Sequence, residues 1–235
     1  MDPALADIRG LLFDKDGTLF DFQATWGGWA SDLMLELGEG DESLAEHLAS
    51  RILLDRAMRR FEPDSLMIAG TVDDAVEALL PALPHFDFDR LAERIVDTSK
   101  RIVPAQAVPV VPLMMRLRAE GFVLGVATND AESAACAHLE GIGALDAFDF
   151  VVGADSGFGA KPDPGQCLAF CEATGVPPEQ VAMVGDSTHD LHAGKAAGMV
   201  PVAVLTGPAM RADLAPFAAA VLPDIGHLLR WLALG

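Results

Sequence analysis

The sequence predicts an α/β fold in which a doubly wound parallel sheet carries an inserted helical domain. Five nearly continuous apolar runs, bounded by turn residues, are typical of strands buried on both faces. Helical patterns alternate with the later runs, whereas only helical patterns occur between the first and second. We therefore predict a core of residues 1–19 and 106–235 and a helical domain of residues 20–105. The five predicted strands cover residues 8–14, 122–128, 148–153, 180–186 and 200–206.

The predicted helices of the core follow and precede its strands. Pro164 is suited to open one of them, because proline is tolerated in the first turn of a helix. Gly198 lies where a helix C-terminal cap belongs. The predicted helices cover residues 109–120, 130–141, 163–175, 188–197 and 225–233.

The inserted domain is predicted to be all-helical, with helices near 23–37, 41–60, 71–80 and 88–101. Turn-forming segments separate these helices: residues 38–40, residues 62–64 and the stretch with Pro81 and Pro84. Pro104 and Pro109 mark the return of the chain to the core.

The composition excludes several classes of function. The formal net charge is −19, from 35 acidic and 16 basic residues. A surface this acidic repels nucleic acid and anionic membrane, so we expect neither as a partner. The first residues lack the pattern of a signal peptide, and no apolar run is long enough for a membrane span. Three cysteines without metal-site spacing favour a reducing, cytoplasmic location.

Two pairs of acidic residues follow predicted strands. Asp14 and Asp16 come at the end of the first strand, and Asp186 and Asp190 follow the fourth. The carboxyl ends of parallel strands meet at one edge of a sheet, where ligands bind. Carboxylates held close together repel one another unless a cation or a proton compensates them, and hard oxygen ligands suit Mg²⁺.

Anion-binding groups are predicted at the same edge of the sheet. Thr128 and Asn129 follow the second strand directly before a helix, and Lys161 follows the third. A hydroxyl, helix N-terminal N–H groups and a lysine suit a phosphate group. A divalent cation beside a phosphate site is what phosphoryl transfer requires.

Four segments in order give a family resemblance: "DKDGT" (14–18), "TN" (128–129), "KP" (161–162) and "GDSTHD" (185–190). With them the chain resembles the haloacid dehalogenase superfamily hydrolases. The resemblance implies a Rossmann-like core and makes residues 20–105 a cap domain over it. "FDKDGTL" with a helical cap resembles the phosphoglycolate-phosphatase-like branch.

The resemblance also implies roles for the acidic residues. Asp14 is expected to attack phosphorus and form an aspartyl phosphate, and Asp16 to act as general acid and then general base. Mg²⁺ is expected to be bound by Asp14, the backbone carbonyl of Asp16 and Asp186. Asp190 is expected outside this ligand set, where it orients water or Lys161.

The remaining motif residues are implied to bind the phosphate. Thr128 and the N–H of Asn129 are expected to hold its oxygens, and Lys161 to neutralise charge on phosphate and nucleophile. The implied activity is Mg²⁺-dependent hydrolysis of a small phosphorylated metabolite, with phosphoglycolate as one candidate. The sequence indicates no oligomeric state.

Four alternatives compete with this activity. A sugar-phosphate mutase shares the same catalytic residues. A phosphonatase needs a lysine of the cap, and Lys100 lies late in that domain, by the hinge. A dehalogenase is disfavoured because a halide leaving group needs no proton from Asp16. A non-catalytic binding protein is disfavoured by the intact motif residues.

Several other residues carry weaker expectations. Lys15 departs from the usual pattern, and we expect it to point away from the site and pair with a surface acid. His189 and His192 flank the acids, but no further zinc ligand is evident. In the cap, Trp26 and Trp29 are equally compatible with the core or with a substrate contact. Three arginines of the cap are expected to be solvated rather than to reach the substrate: Arg56, Arg59 and Arg60.

Overall fold

The structure is a computed structural model that describes residues 8–234. Residues 1–7 and residue 235 lie outside the described residues. Residues 1–7 include the first part of the predicted core and the N-terminal stretch that lacks a signal-peptide pattern. Within the described range the strands are β1 (Gly10–Phe13), β2 (Leu54–Asp55), β3 (Arg60–Phe61), β4 (Val123–Ala127), β5 (Phe150–Val152), β6 (Val181–Gly185), β7 (Val200–Val204) and β8 (Ala220–Leu222).

Six of the strands form one parallel sheet in the order β5-β4-β1-β6-β7-β8. β1 lies in the centre, where Phe13 is in register with Val126 of β4 and Val184 of β6. The sheet therefore reverses its strand order at β1, and the ends of β1, β4 and β6 form the crevice in which α/β proteins bind ligands. The parallel sheet with helices confirms the predicted fold class.

Helices alternate with the strands of the core and build most of the inserted segment. Those of the inserted segment are α1 (Phe22–Leu37), α2 (Glu42–Arg51), α3 (Val72–Leu79) and α4 (Phe88–Ser99). Those of the core are α5 (Val110–Ala119), α6 (Glu132–Gly141), α7 (Gly165–Thr174), α8 (Thr188–Ala196), α9 (Arg211–Leu214) and α10 (Leu228–Trp231).

Several parts of the chain differ from the sequence-based prediction, among them the short helix α9, which was not predicted. The helix expected over 41–60 ends at Arg51, and the short antiparallel pair β2–β3 follows it. Leu53 and Arg59 have φ of 52°, a left-handed conformation that stops a helix. The strand β8 was not predicted, because a three-residue edge strand carries too little periodic signal.

The inserted segment has an apolar core of its own. Side chains from α1 to α4 form one buried cluster, separate from the clusters on the two faces of the sheet. The two stretches of chain that connect the core with the inserted segment lie side by side. Asp21 N–H donates to Ala105 O at 2.8 Å, and Ala107 N–H donates to Leu19 O at 3.0 Å. The domain boundaries at 19/20 and 105/106 stay a prediction.

Gly125 on β4 provides a test of packing beneath the sheet. A Cβ there would lie 2.6 Å from a ring carbon of Phe170, which is fully buried. Gly125→Ala is therefore expected to lower the free energy of unfolding by about 1 to 3 kcal/mol in denaturant titrations. Gly141→Ala is the matched control, because a Cβ at that position would have no atom within 4 Å. Equal stability of the two variants would contradict the packing described.

None of the described helices combines the length and apolar character that crossing a membrane requires.

Candidate active site

Lys161 connects two aspartates at the carboxyl edge of the sheet. Its Nζ donates to Asp14 Oδ1 at 2.6 Å, to Asp190 Oδ1 at 2.6 Å and to the Ala127 carbonyl at 2.8 Å. Asp14 directly follows β1, and its N–H donates to Val184 O. All three charged side chains are buried. The structure thus brings residues from three predicted strand ends together within hydrogen-bonding distance.

Asp186 completes a compact group of carboxylates. Oxygen atoms of Asp14, Asp186 and Asp190 all lie within 4.8 Å of one another. Gly17 leaves room for the Asp186 carboxylate, since a Cβ at position 17 would lie 2.3 Å from Asp186 Oδ2. Three buried carboxylates against one lysine leave excess negative charge, and oxygen ligands of this kind suit Mg²⁺. The residues present therefore fit the predicted cation.

Asp190 has both oxygens engaged within the protein. Besides accepting from Lys161, it accepts from Ser187 N–H at 3.0 Å and Ser187 Oγ at 2.6 Å, in a capping box at the start of α8. This leaves Asp14 and Asp186 as the freer side-chain ligands for a cation. The position of Asp190 is compatible with its predicted role of orienting Lys161.

Burial governs the protonation of this group. It raises the pKa of Asp14 to about 7, against the opposing effect of Lys161. Burial also raises the pKa of Asp186 well above its ordinary value, with further contributions from Asp14 and Asp190. The pKa of Lys161 is raised, because its two carboxylates outweigh its own burial. Without a bound cation, the site therefore retains protons that a divalent cation displaces.

The stability of the metal-free protein is expected to depend on pH through Asp14. Its folded pKa of about 7 lies above its ordinary value of 3.8. Between these values the folded state binds more protons than the unfolded state, so the free energy of unfolding falls as pH rises. Mg²⁺ is expected to raise the melting temperature more at about pH 8 than at about pH 5, because only the ionised carboxylates bind it.

Thermal unfolding with Mg²⁺ or with chelator measures this difference. Asp186→Asn serves as the matched variant and is expected to lose most of the stabilisation by Mg²⁺. An equal effect of Mg²⁺ at the two pH values would contradict binding by these aspartates.

Thr128 and Asn129 lie at the end of β4, facing the loop with Lys161. The Asn129 amide accepts from Lys161 N–H at 2.8 Å and donates to Lys161 O at 2.9 Å and Ala69 O at 2.8 Å. Thr128 Oγ1 accepts from Asp130 N–H at 3.1 Å. The asparagine side chain therefore ties the lysine loop to the inserted segment, a contact that the sequence did not predict.

Lys15 corrects an expectation. Its side chain is fully buried rather than paired with a surface acid, and Nζ lies 2.6 Å from Asp16 Oδ2 and 2.9 Å from Asp130 Oδ2. It also lies 3.2 Å from Nδ1 of His138. The second oxygen of Asp16 accepts from Trp26 Nε1 at 2.7 Å. Sequence position carries no signal for Asp130 or His138, since neither belongs to a recognised motif.

A cavity lies between the ends of the strands and the inserted segment. Trp26 and Trp29 both line it and pack edge to face, with ring centroids 5.0 Å apart.

The arginines of the inserted segment form ion pairs away from the cavity: Arg56 with Glu42 and Glu46, and Arg59 with Asp32. Neither arginine lines the cavity, and Arg60 is exposed on β3. His189 lines the cavity, whereas His192 packs on Phe217, and no histidine joins the described carboxylate group.

Comparisons of the sequence with known proteins point to one family. A family model described as haloacid dehalogenase-like hydrolase matches residues 8–198. The phosphoglycolate phosphatase of Rhodospirillum rubrum is 34% identical over 232 residues, which cover 95% of this chain and 90% of that protein.

Solved structures show the same fold. A protein of Haemophilus somnus described as a predicted phosphoglycolate phosphatase has a TM-score of 0.72 and 18% identity, covering 96% of this chain and 98% of that one. A protein of Thermotoga maritima described as a beta-phosphoglucomutase has a TM-score of 0.67 and 21% identity, covering 96% and 99%. The chain belongs to the haloacid dehalogenase-like hydrolase family.

Proposed function

We propose that this enzyme is a Mg²⁺-dependent phosphatase that hydrolyses a small phosphate monoester through an aspartyl-phosphate intermediate. The observation that carries the proposal is the buried group of Asp14, Lys161 and Asp186 at the floor of the cavity. It offers a nucleophile, a fixed positive charge and a cation site within a few ångströms. The phosphoglycolate phosphatases among its relatives make phosphoglycolate the first candidate substrate.

The first chemical step uses Asp14 and Asp16. Lys161 binds one oxygen of Asp14, which leaves the other to attack phosphorus. As the new O–P bond forms, the bond between phosphorus and the ester oxygen breaks, and Asp16 donates a proton to the departing alkoxide. Asp14, the backbone carbonyl of Asp16 and Asp186 would hold Mg²⁺, which when bound would supply charge neutralisation for the phosphate.

The second step releases phosphate. Water attacks the phosphorus of the aspartyl phosphate and loses a proton to Asp16, and the carboxylate of Asp14 leaves. Thr128 and the N–H of Asn129 hold phosphate oxygens throughout, and Lys161 balances their charge. Because the cavity is bounded by the inserted segment, closure of this cap over the substrate excludes bulk water.

Phosphate release from a panel of small esters, with Mg²⁺ or with chelator, tests the function. We expect metal-dependent release that is lost in Asp14→Asn. Failure of every ester, with Mg²⁺ binding intact, would contradict the phosphatase assignment. The sugar-phosphate mutase is the second candidate, because the fold is shared with a protein described as a beta-phosphoglucomutase. Isomerisation of a sugar phosphate without net phosphate release would favour it.

A cytoplasmic location belongs to the same proposal. It is supported by the three cysteines, all of which are free thiols. The expected partner is the small phosphorylated substrate, and the strongly acidic composition disfavours nucleic acid and anionic membrane as partners.

A further inference from the structure

The inserted segment gives the cavity an apolar wall. Phe22, Trp26, Phe61, Met67 and Ile68 all line it, opposite the charged floor formed by the ends of the strands. Such a wall contacts the part of the substrate that lies beyond the phosphate. Its residues therefore determine which leaving group binds well.

The wall offers no positive charge to a carboxylate of the substrate. Among the described residues that line the cavity, Lys161 is the one lysine or arginine, and two aspartates already bind it. His189 also lines the cavity, but it belongs to α8 of the core and not to the wall. On the cap side, Arg56 and Arg59 are paired with acids elsewhere. Asp130 and Asp16 also line the cavity and share a single cation, Lys15.

The helix N-terminus at this wall does not replace the missing cation. Residues 69–72, at the start of α3, line the cavity. Thr71 and Asp74 satisfy part of this end: Asp74 accepts from Thr71 N–H at 2.7 Å, and its own N–H donates to Thr71 Oγ1 at 3.2 Å. Asp73 and Asp74 also place two negative charges in the first turn. A substrate carboxylate would be repelled there rather than bound.

We propose that the leaving group of the preferred substrate is uncharged and apolar, an inference that rests on the phosphatase function. A carboxylate brought against this wall would lose its hydration without gaining a cationic partner, which is costly. An alkyl or aromatic group would instead bury apolar surface against the tryptophans and Met67. Phosphoglycolate, the candidate that the relatives suggest, carries a carboxylate next to its ester, and the wall therefore predicts that it is a poor substrate.

The test compares benzyl phosphate with phosphoglycolate, since both release an alkoxide that needs protonation. We expect kcat/KM with Mg²⁺ to be at least about tenfold higher for benzyl phosphate. Equal or better hydrolysis of phosphoglycolate would overturn the inference while leaving the phosphatase function intact. Metal-dependent release from neither ester, nor from the wider panel, would overturn both.

A charge-introducing variant gives a second measurement. Met67→Lys places a cation in the wall and is expected to shift the kcat/KM ratio toward phosphoglycolate by at least about tenfold. Met58→Lys is the control, because Met58 is a methionine of the same segment that is 68% exposed. An unchanged ratio in Met67→Lys would count against the proposed wall.

A different observation concerns Lys15, next to the nucleophile. A fully buried lysine is rare unless it is paired, and this one contacts Asp16, Asp130 and His138. His138 in turn contacts the backbone carbonyl of Ser99 in the cap through Nε2 at 2.8 Å. A neutral ring protonated at Nε2 satisfies both of its contacts.

Asp16 is held from two sides by this arrangement. Lys15, from the core, binds Oδ2, and the Trp26 indole, from the cap, donates to Oδ1. Lys15 Nζ also lies 5.0 Å from the centre of the Trp26 ring, within range of a cation–π contact. The orientation of the carboxylate thus depends on a residue of each part of the protein.

We infer that Lys15 is a positioning residue that orients Asp16 for proton transfer to the leaving group. This inference also rests on the phosphatase function, because it requires Asp16 to be the general acid. Lys15 does not touch the reacting atoms in this role. Its loss should therefore affect leaving groups that need a proton and spare those that do not.

The experiment compares Lys15→Met with the unmodified enzyme on two esters. With benzyl phosphate, kcat/KM is expected to fall at least about tenfold, and with 4-nitrophenyl phosphate less than about threefold, because 4-nitrophenolate leaves without protonation. Asp16→Asn is the reference and should show the same contrast. An equal loss on both esters would overturn the positioning role and indicate a structural one.

Asp130→Asn provides a second variant in case Lys15→Met does not fold. It removes one of the two carboxylates that anchor Lys15 and keeps the shape of the side chain. We expect a smaller contrast in the same direction. The absence of any contrast between the two esters in this variant would also overturn the inference.

Discussion

Asp14→Asn is expected to lower kcat/KM for any phosphate ester by at least about 1,000-fold. The amide has nearly the shape of the carboxylate but cannot donate its electron pair to phosphorus as an anion does. Phosphoryl transfer in this enzyme depends on positioning and charge, so a correctly placed but neutral group leaves only the contribution of binding. Initial rates with saturating Mg²⁺ and the best ester of the panel measure the loss.

The folded state of this variant should remain stable, which separates catalysis from structure. Lys161 keeps its bonds to Asp190 and Ala127, and the substitution removes one of three crowded buried carboxylates. Its melting temperature without metal at neutral pH is therefore expected to equal or exceed that of the unmodified protein. Asp32→Asn, at an exposed carboxylate of the cap, is the matched control for activity. A loss of less than tenfold would show that Asp14 is not the nucleophile.

Lys161→Met is expected to cause the largest loss of stability together with a large loss of activity. It removes the positive charge between Asp14 and Asp190 and leaves these buried carboxylates without their cationic partner. Breaking a buried pair in this way costs about 3 to 5 kcal/mol of unfolding free energy. Activity is expected to fall at least about 100-fold, because in the proposed mechanism the same charge stabilises the phosphate in the transition state.

The pH dependence distinguishes this cause from a simple packing defect. Without Lys161 the carboxylates retain protons more strongly, so the loss of stability should grow as pH rises and shrink as they become protonated. Mg²⁺ should restore part of it by supplying positive charge. Lys100→Met, at a surface lysine that pairs with Asp97, is the matched control and should change stability by less than about 0.5 kcal/mol. A pH-independent loss in Lys161→Met would contradict the electrostatic explanation.

Much of the fold followed from local patterns. β1, β4, β6 and β7 are short runs of apolar residues bounded by turns, and such runs predict strands without reference to the rest of the chain. The end of α2 and the pair β2–β3 were missed because they depend on distant contacts. Leu54 pairs with Phe61, and the Phe61 backbone exchanges hydrogen bonds with the Gln23 side chain on α1.

The candidate site was predictable to a similar extent. Asp14 and Asp186 stand at the ends of predicted strands and Lys161 lies in the loop after another, so their meeting at one edge of the sheet follows from the fold class. The role of Asn129 as a clamp on the Lys161 loop and on Ala69 was not predictable, since it joins residues 60 positions apart. The roles assigned to these residues in phosphoryl transfer remain the proposal that the mutants above test.

The sequence by itself determined the fold class, the order of the motifs and the chemistry available at the edge of the sheet. These depend on periodicity and residue type, which are local properties of the chain. Only the tertiary structure decided that Lys15 is buried beside Asp16, Asp130 and His138, and that the described residues of the inserted segment give the cavity a wall without lysine or arginine. Burial and charge pairing depend on which distant segments meet, and in Lys15 they turn an ordinary surface residue type into part of the interior.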